Sequence, residues 1–193
     1  MDNKALYTSI SAGKYKGKKL LLPSLASTRS TKSIIKDSLF DTLQSDIIDE
    51  VFVEVFGGSG SMGLEALSRG AKEAYFIEKN KAAFLVLEKN CQTIAPHQSH
   101  CTFGDSFKVL PQLFKKLTCK AFFYVDPPFS IREGMDDIYA QVLELIQSIP
   151  PLQVHMIIIE HMSTLILPET IGAFCLQKRK KFGKTSLSYY LEH

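Results

Sequence analysis

The feature that most constrains the fold is an apolar run that ends in a cluster of glycines. Residues 51–56, with the sequence VFVEVF, are rich in β-branched and aromatic side chains, which favour a strand. Gly57 and Gly58 end this run, and Ser61–Arg69 then has the apolar spacing of a helix. A strand, a glycine turn and a helix form the first half of a βαβ unit, so the sequence predicts a parallel sheet.

The same alternation continues along the chain. Further strands are predicted at 73–78, 101–104, 121–125 and 154–159, with helices at 81–94, 107–117 and 135–149. Two final strands, at 172–180 and 185–192, are close enough to pair as an antiparallel hairpin. The sequence therefore predicts an α/β fold with a doubly wound, mainly parallel sheet of seven strands and an antiparallel strand at its C-terminal end.

A short basic segment precedes this core. With 193 residues, 45% of them hydrophobic and 22% charged, the chain can bury one sizeable core but cannot form two full catalytic lobes. Residues 1–30 contain Gly13, Gly17 and Pro23 with a candidate strand at 20–22, and a helix is predicted over 31–43. We therefore predict an N-terminal appendage at 1–30, with a hairpin and a following helix, and a main domain at 31–193.

Membrane and metal chemistry are not expected. No apolar run reaches the roughly 18 residues that a membrane span requires, and no apolar stretch of a signal peptide follows Met1. The cysteines and histidines lack the spacing of metal ligands. The sequence predicts a cytoplasmic protein with no metal site.

The glycine cluster predicts a site for a nucleoside cofactor. Gly58, Gly60 and Gly63 form a G-x-G-x-x-G pattern between the first strand and its helix. Glycines permit a sharp turn and a close approach to a ligand, and free N–H groups at the helix start can hold polar ligand atoms. Glu78 ends the next strand, where an acid accepts hydrogen bonds from ribose hydroxyls. NAD and S-adenosylmethionine both fit this arrangement.

A second motif, Asp126-Pro127-Pro128-Phe129, favours S-adenosylmethionine. It follows the predicted strand 121–125, at the carboxyl edge where open α/β sheets bind ligands. The prolines fix the loop and leave carbonyl acceptors beside a carboxylate and an aromatic ring. These groups suit the amine of a nucleobase: Asp126 and a proline carbonyl accept its hydrogens, which exposes the nitrogen lone pair to an electrophile, while Phe129 stacks on the base.

Asp105 and Ser106 follow the third predicted strand and lie on the same edge of the sheet. Recognition of adenine is one role for Asp105 or the neighbouring backbone. Capping the helix that begins near Phe107 is the other role. The sequence leaves both open.

Positive charge is concentrated at two places. Residues 1–36 carry eight Lys or Arg against one acid, whereas the other 157 residues carry 15 against 19, and a second basic cluster lies at 178–184. Clustered cations bind polyanions because Lys and Arg neutralise the phosphates and release the counterions condensed on them, so we predict a nucleic-acid partner. The candidate phosphate-binding residues are Lys14, Lys16, Lys18, Lys19, Arg29, Lys178, Arg179, Lys180, Lys181 and Lys184.

Taken together, the motifs resemble the bacterial RsmD-type rRNA guanine-N2 methyltransferases, which have a Rossmann-like fold and use S-adenosylmethionine. The resemblance covers nearly the whole chain. It is carried by residues 10–20 (ISAGKYKGKKL), 29–31 (RST), 36–40 (KDSLF), 58–70 (GSGSMGLEALSRG), 126–129 (DPPF) and 180–185 (KKFGKT).

The resemblance implies methyl transfer to a guanine N2 of 16S rRNA, presented in a partly assembled small ribosomal subunit, by a protein that we expect to be a monomer. Its catalytic residues are then Asp126, Pro127, Pro128 and Phe129. Its cofactor site comprises Glu54, Phe56, Gly57, Gly58, Ser59, Gly60, Gly63, Glu78, Lys79, Asp105 and Ser106. Glu54, Gly57 and Ser30 replace the family's usual Asp, Ala and Pro, changes that affect cofactor affinity and remove no catalytic group.

Rival functions remain open from the sequence. A nucleic-acid adenine N6-methyltransferase would also need a carboxylate and a carbonyl to accept the hydrogens of its target amine. A protein glutamine methyltransferase commonly begins the tetrapeptide with Asn, so Asp126 argues against it by analogy. A non-catalytic RNA-binding assembly factor could keep the fold, and a dehydrogenase would need a substrate domain for which the chain has no room.

Overall fold

The computed structural model describes residues 5–23, 29–128 and 138–193, with the backbone alone for 29–32. The strands are β1 (Tyr7–Ser9), β2 (Lys19–Leu21), β3 (Val51–Glu54), β4 (Glu73–Glu78), β5 (Ser99–Phe103), β6 (Ala121–Val125), β7 (Val154–Met162), β8 (Thr170–Ile171), β9 (Phe174–Phe182) and β10 (Thr185–Glu192). The helices are α1 (Arg29–Leu43), α2 (Ser61–Ser68), α3 (Lys81–Ile94), α4 (Ser106–Phe114) and α5 (Ile138–Gln147). Within these ranges, no helix combines the length and apolar character of a membrane crossing.

The main sheet confirms the predicted fold class. Over the described residues it contains eight strands in the order β5-β4-β3-β6-β7-β10-β9-β8. The strands from β5 to β7 are parallel, and each pairing beyond β7 is antiparallel. The count exceeds the predicted seven because β8, with two residues, pairs with the start of β9 across Gly172. A strand this short leaves no alternation to detect in the sequence.

Most predicted boundaries are close to those observed. The bounds of β4, α3, β6 and β10 are as predicted, and α1 begins two residues early, at Arg29. β3 ends at Glu54 because the chain turns into the glycine loop, although Val55 still donates its N–H to the Tyr124 carbonyl (2.9 Å). β7 continues to Met162 because its last residues pair with β10. The predicted start of the fifth helix, 135–137, lies outside the described residues.

Helices cover both faces of the sheet. Alternate strand residues such as Phe52 and Tyr124 join a core with α1, α2 and α3, whereas Val53 and Phe123 join a core with α4 and α5. This division follows from the period of two in a strand, which sends successive side chains to opposite faces. The structure is therefore doubly wound, as the sequence predicts.

The N-terminal hairpin of β1 and β2 belongs to the first of these cores. Ile10 and Leu20 are 2% and 0% exposed and pack in the same cluster as α1, α2 and α3. The backbone of this hairpin is also hydrogen-bonded to the rest of the fold, since Leu21 exchanges two hydrogen bonds with the Asn90 side chain of α3 (2.9 and 3.0 Å).

A fully buried carboxylate joins the hairpin to two helices. Glu65 of α2 accepts hydrogen bonds from the N–H groups of Ser11 (2.8 Å) and Ala12 (3.0 Å). It also pairs with the ammonium of Lys36 in α1 (3.0 Å), which is 4% exposed and donates to the Ser9 carbonyl (2.6 Å). Arg69 provides a further partner at 2.8 Å. These contacts satisfy a charge that burial alone would make unfavourable.

Replacement of this carboxylate tests its importance. We expect Glu65→Ala to lower the free energy of unfolding by about 3–5 kcal/mol, because Lys36 keeps a buried charge without its partner. Chemical denaturation measures this loss. Glu88→Ala, at an exposed site on α3, is the control and should change the free energy by less than about 0.5 kcal/mol. Equal effects of the two substitutions would contradict the anchoring role.

Candidate active site

The two sequence motifs meet where the strand order of the sheet reverses direction. β3 lies between β4 and β6, so the chain leaves β3 toward one side and later returns on the other. Glu54 of β3 is in register with Tyr124 of β6. The glycine loop and the Asp126 segment therefore leave adjacent strands at the same level, with a strand spacing of about 5 Å between them. This is the crevice in which open α/β sheets bind ligands.

The backbone of the glycine loop is fixed by the protein itself. Gly57 donates its N–H to the Ile77 carbonyl (2.7 Å), and Gly60 donates to the Gly57 carbonyl (2.7 Å). Gly63 donates to the Glu54 carboxylate (2.8 Å), and Gly58 donates to that of Glu78 (2.8 Å). At the start of α2, where free N–H groups are predicted for a ligand, the N–H of Gly63 is thus already bonded in this conformation. The N–H groups of Gly57, Gly58 and Gly60 in the preceding loop are bonded as well.

Close packing requires glycine at some positions of the loop, and a positive φ favours it at others. A Cβ on Gly63 would lie 2.4 Å from the Phe76 ring, so α2 can pack this closely only without a side chain. Gly60 has a φ of 77° and a Cβ there would approach Leu87 at 2.6 Å. Gly58 has a φ of 51°, and no heavy atom outside its neighbours lies within 4 Å of its added Cβ. The exposed side of the loop at Gly58 therefore has room for a ligand.

Glu78 stands at the end of β4 with its carboxylate directed at the loop. One oxygen accepts the Gly58 N–H, and the other accepts the N–H of Asn80 at 2.6 Å. Each carboxylate oxygen has two acceptor positions, so the group retains capacity for hydroxyl donors. Lys79 follows and is exposed at the same edge of the sheet.

Asp105 and Ser106 connect the end of β5 to the loop. Asp105 caps α4, where its carboxylate accepts the N–H of Phe107 (3.1 Å). The buried Ser106 donates its hydroxyl to the Val55 carbonyl (2.5 Å). The capping role foreseen for Asp105 is thus confirmed, and the Phe56 and Phe107 rings meet edge to face at 5.9 Å between centroids.

The Asp126 segment continues directly from β6. Asp126 is half-buried, Pro127 is buried and Pro128 is exposed, while Phe129 lies outside the described residues. Below it, the Tyr124 hydroxyl donates to the buried carboxylate of Glu160 at the end of β7. Burial, together with the negative charges of Glu160 and Asp126, raises the pKa of Tyr124 well above its usual value. The phenol therefore keeps its proton and serves as a donor at this edge.

Asn90 is a residue of the site that the sequence patterns did not indicate. It is 4% exposed, and its amide nitrogen donates to the Ser59 carbonyl of the glycine loop (2.8 Å) and to the Leu21 carbonyl of the hairpin (3.0 Å). Its position on the inner side of α3 predicts burial, and a polar residue there needs partners. The identity of those partners follows from the tertiary structure alone.

Most of the predicted phosphate-binding side chains are exposed. On the N-terminal hairpin these are Lys14, Lys16, Lys18 and Lys19, and on the β9–β10 hairpin they are Lys178, Arg179, Lys181 and Lys184. The side chain of Arg29 lies outside the described residues. The β9–β10 turn, at Gly183 and Lys184, lies beside the end of β7, because Thr185 pairs with Met162. The second basic cluster therefore flanks the carboxyl edge that carries Asp126.

Lys180 differs from the other basic residues of its hairpin. Its ammonium donates to Thr42 Oγ1 (2.7 Å) and Ser38 Oγ (3.2 Å) of α1. Burial lowers the pKa of Lys180, and the charge of Lys178 adds to the shift. In this structure the Lys180 ammonium binds α1 and joins the hairpin to that helix. The other predicted phosphate-binding residues of the hairpin are exposed to solvent.

Comparison with known proteins shows which family and which relatives this chain is similar to. The profile of the family described as conserved hypothetical protein 95 matches residues 8–191. A candidate rRNA methyltransferase of Bacillus subtilis strain 168, YlbH, is 26% identical over 93% of this chain and 96% of its own. Ribosomal RNA small subunit methyltransferase D of Escherichia coli K12 is 34% identical over 70% of this chain and 66% of its own.

A solved structure extends the similarity to the whole fold. The candidate methyltransferase yhhF of Escherichia coli has a TM-score of 0.75 and 26% identity, over 97% of this chain and 99% of its own. The fold, the family profile and the curated relatives agree with the resemblance that the motifs carry. The chain therefore belongs to the conserved hypothetical protein 95 family, that of the RsmD-type methyltransferases.

Proposed function

We propose that this protein transfers a methyl group from S-adenosylmethionine to the exocyclic N2 of a guanine in 16S rRNA, within an assembling small ribosomal subunit. The observation that carries the proposal is the register of β3 and β6, which brings the glycine loop and Asp126 to the same level on adjacent strands. A cofactor along the loop would hold its reacting end beside Asp126. The similarity to YlbH and to ribosomal RNA small subunit methyltransferase D, both named as rRNA methyltransferases, supports the same reaction class.

The residues around the loop fit S-adenosylmethionine. The open side of Gly58 admits a ligand close to the backbone, and Glu78 keeps acceptor capacity for ribose hydroxyls. Lys79 and the backbone around Asp105 and Ser106 border the position of the adenine, although the Asp105 and Ser106 side chains have structural bonds. The cofactor supplies an electrophilic methyl group on a positively charged sulfur.

Asp126 acts on the amine of the target guanine. Its carboxylate and the carbonyls of Pro127 and Pro128 accept the N2 hydrogens, which reduces delocalisation of the nitrogen lone pair into the ring. Phe129, whose role rests on the sequence motif, stacks on the base. As the bond between N2 and the methyl group forms and the bond between that methyl group and sulfur breaks, the amine becomes positively charged, and its surplus proton leaves toward the Asp126 carboxylate. Asp126 thus orients the amine, accepts its hydrogen bond and receives its proton.

The exposed basic residues hold the RNA. The β9–β10 hairpin adjoins the edge of the sheet with Asp126, and the N-terminal hairpin adds a second group of lysines. Both segments contact α1, the first through Lys180 and Thr42 and the second through Ser9 and Lys36. Phosphate contacts of this kind weaken as salt displaces them, so RNA affinity should fall with ionic strength.

The reaction product provides the direct test. Small ribosomal subunits that lack this modification are incubated with labelled S-adenosylmethionine and the protein, and the RNA is digested to nucleosides. We expect the label in N2-methylguanosine. Label in N6-methyladenosine would establish the adenine rival, and cofactor binding without transfer would favour a binding factor.

Substitution of the proposed acceptor should separate turnover from cofactor binding. We expect Asp126→Asn to reduce turnover by about 100-fold, because the neutral amide is a weaker acceptor of the same shape. Calorimetry should give a Kd for S-adenosylmethionine within about twofold of the wild type, since less than about 0.4 kcal/mol of binding energy is affected. Asp46→Asn, on an exposed turn, is the control. Undiminished turnover would exclude Asp126 from the mechanism.

In contrast to Asp126→Asn, Glu78→Gln should weaken cofactor binding more than it reduces turnover. The amide loses charge and can no longer accept at both atoms, which weakens the ribose contact and the bond to Gly58. We expect the Kd for S-adenosylmethionine to rise about tenfold, with kcat at saturating cofactor reduced less. Glu192→Gln, at an exposed position on β10, serves as the matched control. An unchanged Kd would show that the cofactor does not contact this carboxylate.

A further inference from the structure

The β9–β10 hairpin contains an arginine whose side chain is held in one orientation. Arg179 is exposed, yet its Nε donates to Ser188 Oγ (3.2 Å) and its Nη2 donates to the Leu167 carbonyl (3.1 Å). The Tyr190 hydroxyl, which donates to the Pro168 carbonyl (2.7 Å), also interacts with the guanidinium. A guanidinium has five N–H groups, so donors remain for an anion after these contacts.

The bond between Arg179 and Ser188 is the outer end of a buried chain of hydrogen bonds. Ser188 and His161 are both 0% exposed, and His161 Nε2 lies 2.8 Å from Ser188 Oγ. His161 Nδ1 lies 2.9 Å from the Met162 carbonyl. A carbonyl only accepts, so Nδ1 carries the hydrogen and Nε2 presents its lone pair.

This tautomer gives the chain a single direction. Ser188 donates its hydroxyl hydrogen to His161 Nε2, and its oxygen is then an acceptor for Arg179 Nε. The arrangement requires a neutral imidazole. Burial lowers the pKa of His161, and the positive charge of Arg179 adds to the shift, so the neutral form is favoured. A buried chain in which each group has a partner orients its outer member firmly.

The position of Arg179 relates it to the reacting edge of the sheet. β9 is three strands from β6 in the order β6-β7-β10-β9, which corresponds to about 14 Å. Ser188, the partner of Arg179, is in register with Ile159, which is in register with Val125, the residue before Asp126. A phosphate bound at Arg179 would therefore lie about three strand spacings, or about 14 Å, from the reacting edge, a distance of a few nucleotides from the target base.

We propose that Arg179 is a pre-oriented binding residue for a backbone phosphate near the target nucleotide, and that His161 and Ser188 are the positioning residues that hold it. The inference rests on the proposed function, because the phosphate is that of the RNA substrate. Because the Arg179 side chain is already oriented, it loses less conformational entropy on binding than a mobile long side chain does. Its planar guanidinium can also make two parallel hydrogen bonds to a phosphate. Exposed lysines of the same hairpin contribute charge without this geometry.

A double-mutant cycle tests the positioning role. The Kd of the wild type, Arg179→Gln, Ser188→Ala and the double variant for unmodified small ribosomal subunits is measured over a series of salt concentrations. We expect Arg179→Gln to weaken binding about tenfold and to reduce the salt slope by about 0.7–0.9. Ser188→Ala alone should lose several-fold in affinity and should add nothing in the Arg179→Gln background.

Two controls distinguish positioning from a general effect on the fold. Ser186→Ala removes a second buried hydroxyl from the same face of β10, where it contacts Ser163 Oγ (2.9 Å), and should leave the Kd unchanged. Lys178→Gln removes a charge from the opposite face of β9, and its effect should add to that of Ser188→Ala. Wild-type affinity in Ser188→Ala, or an additive loss with Arg179→Gln, would overturn the inference.

The same measurements separate this inference from the proposed function. Binding of S-adenosylmethionine, followed by calorimetry, should be equal in all variants. If the wild type binds and methylates subunits but the losses of affinity in Arg179→Gln and Ser188→Ala are additive in the double variant, the positioning role alone is overturned. A wild type that binds the cofactor but not the subunits would overturn the proposed substrate, and this inference with it.

Discussion

The buried carboxylate of Glu65 is the contact on which the arrangement of the site depends. It lies in the helix that begins directly after the glycine loop, and it joins that helix to α1 and to the backbone of the N-terminal segment. Because a buried charge is tolerated only with its partners, the loss of any of these contacts would destabilise the packing of the three segments. Asn90 adds a second junction, between the hairpin and the loop itself. The segment with the first basic cluster is thus joined to the loop proposed for the cofactor.

The carboxyl edge of the sheet concentrates negative charge. Glu54 of β3 and Glu160 of β7 are each 4% exposed and lie on the two strands that flank β6. Tyr124 of β6 lies between them, and Asp126 follows two residues later. Glu54 accepts the N–H of Gly63 and so fixes the start of α2. Such an edge suits a cationic cofactor. The surrounding basic hairpins suit the polyanionic RNA that is the proposed substrate. The negative and positive charges of the protein therefore lie in separate regions of the molecule.

The sequence predicts the sheet well because its signals are local. The apolar and aromatic residues of runs such as 121–125 and 185–192 are enough to predict buried strands, and the clustered glycines are enough to predict a turn. It cannot predict the contacts that orient the site, since these join distant residues. Asn90 contacts Leu21 across 69 positions and His161 contacts Ser188 across 27. Arg179 and Lys180 are adjacent in a basic run, yet alternation along β9 directs one toward Ser188 and the other toward α1.

The position of β10 in the sheet has a consequence for synthesis of the chain. It is translated after β7, β8 and β9, but it lies between β7 and β9 and pairs with both along most of its length. Until residues 185–192 leave the ribosome, β7 has an unpaired edge and β9 has no strand to join it to the sheet. A nascent chain at this stage presents an open, apolar strand edge, the kind of surface that promotes aggregation and that chaperones bind.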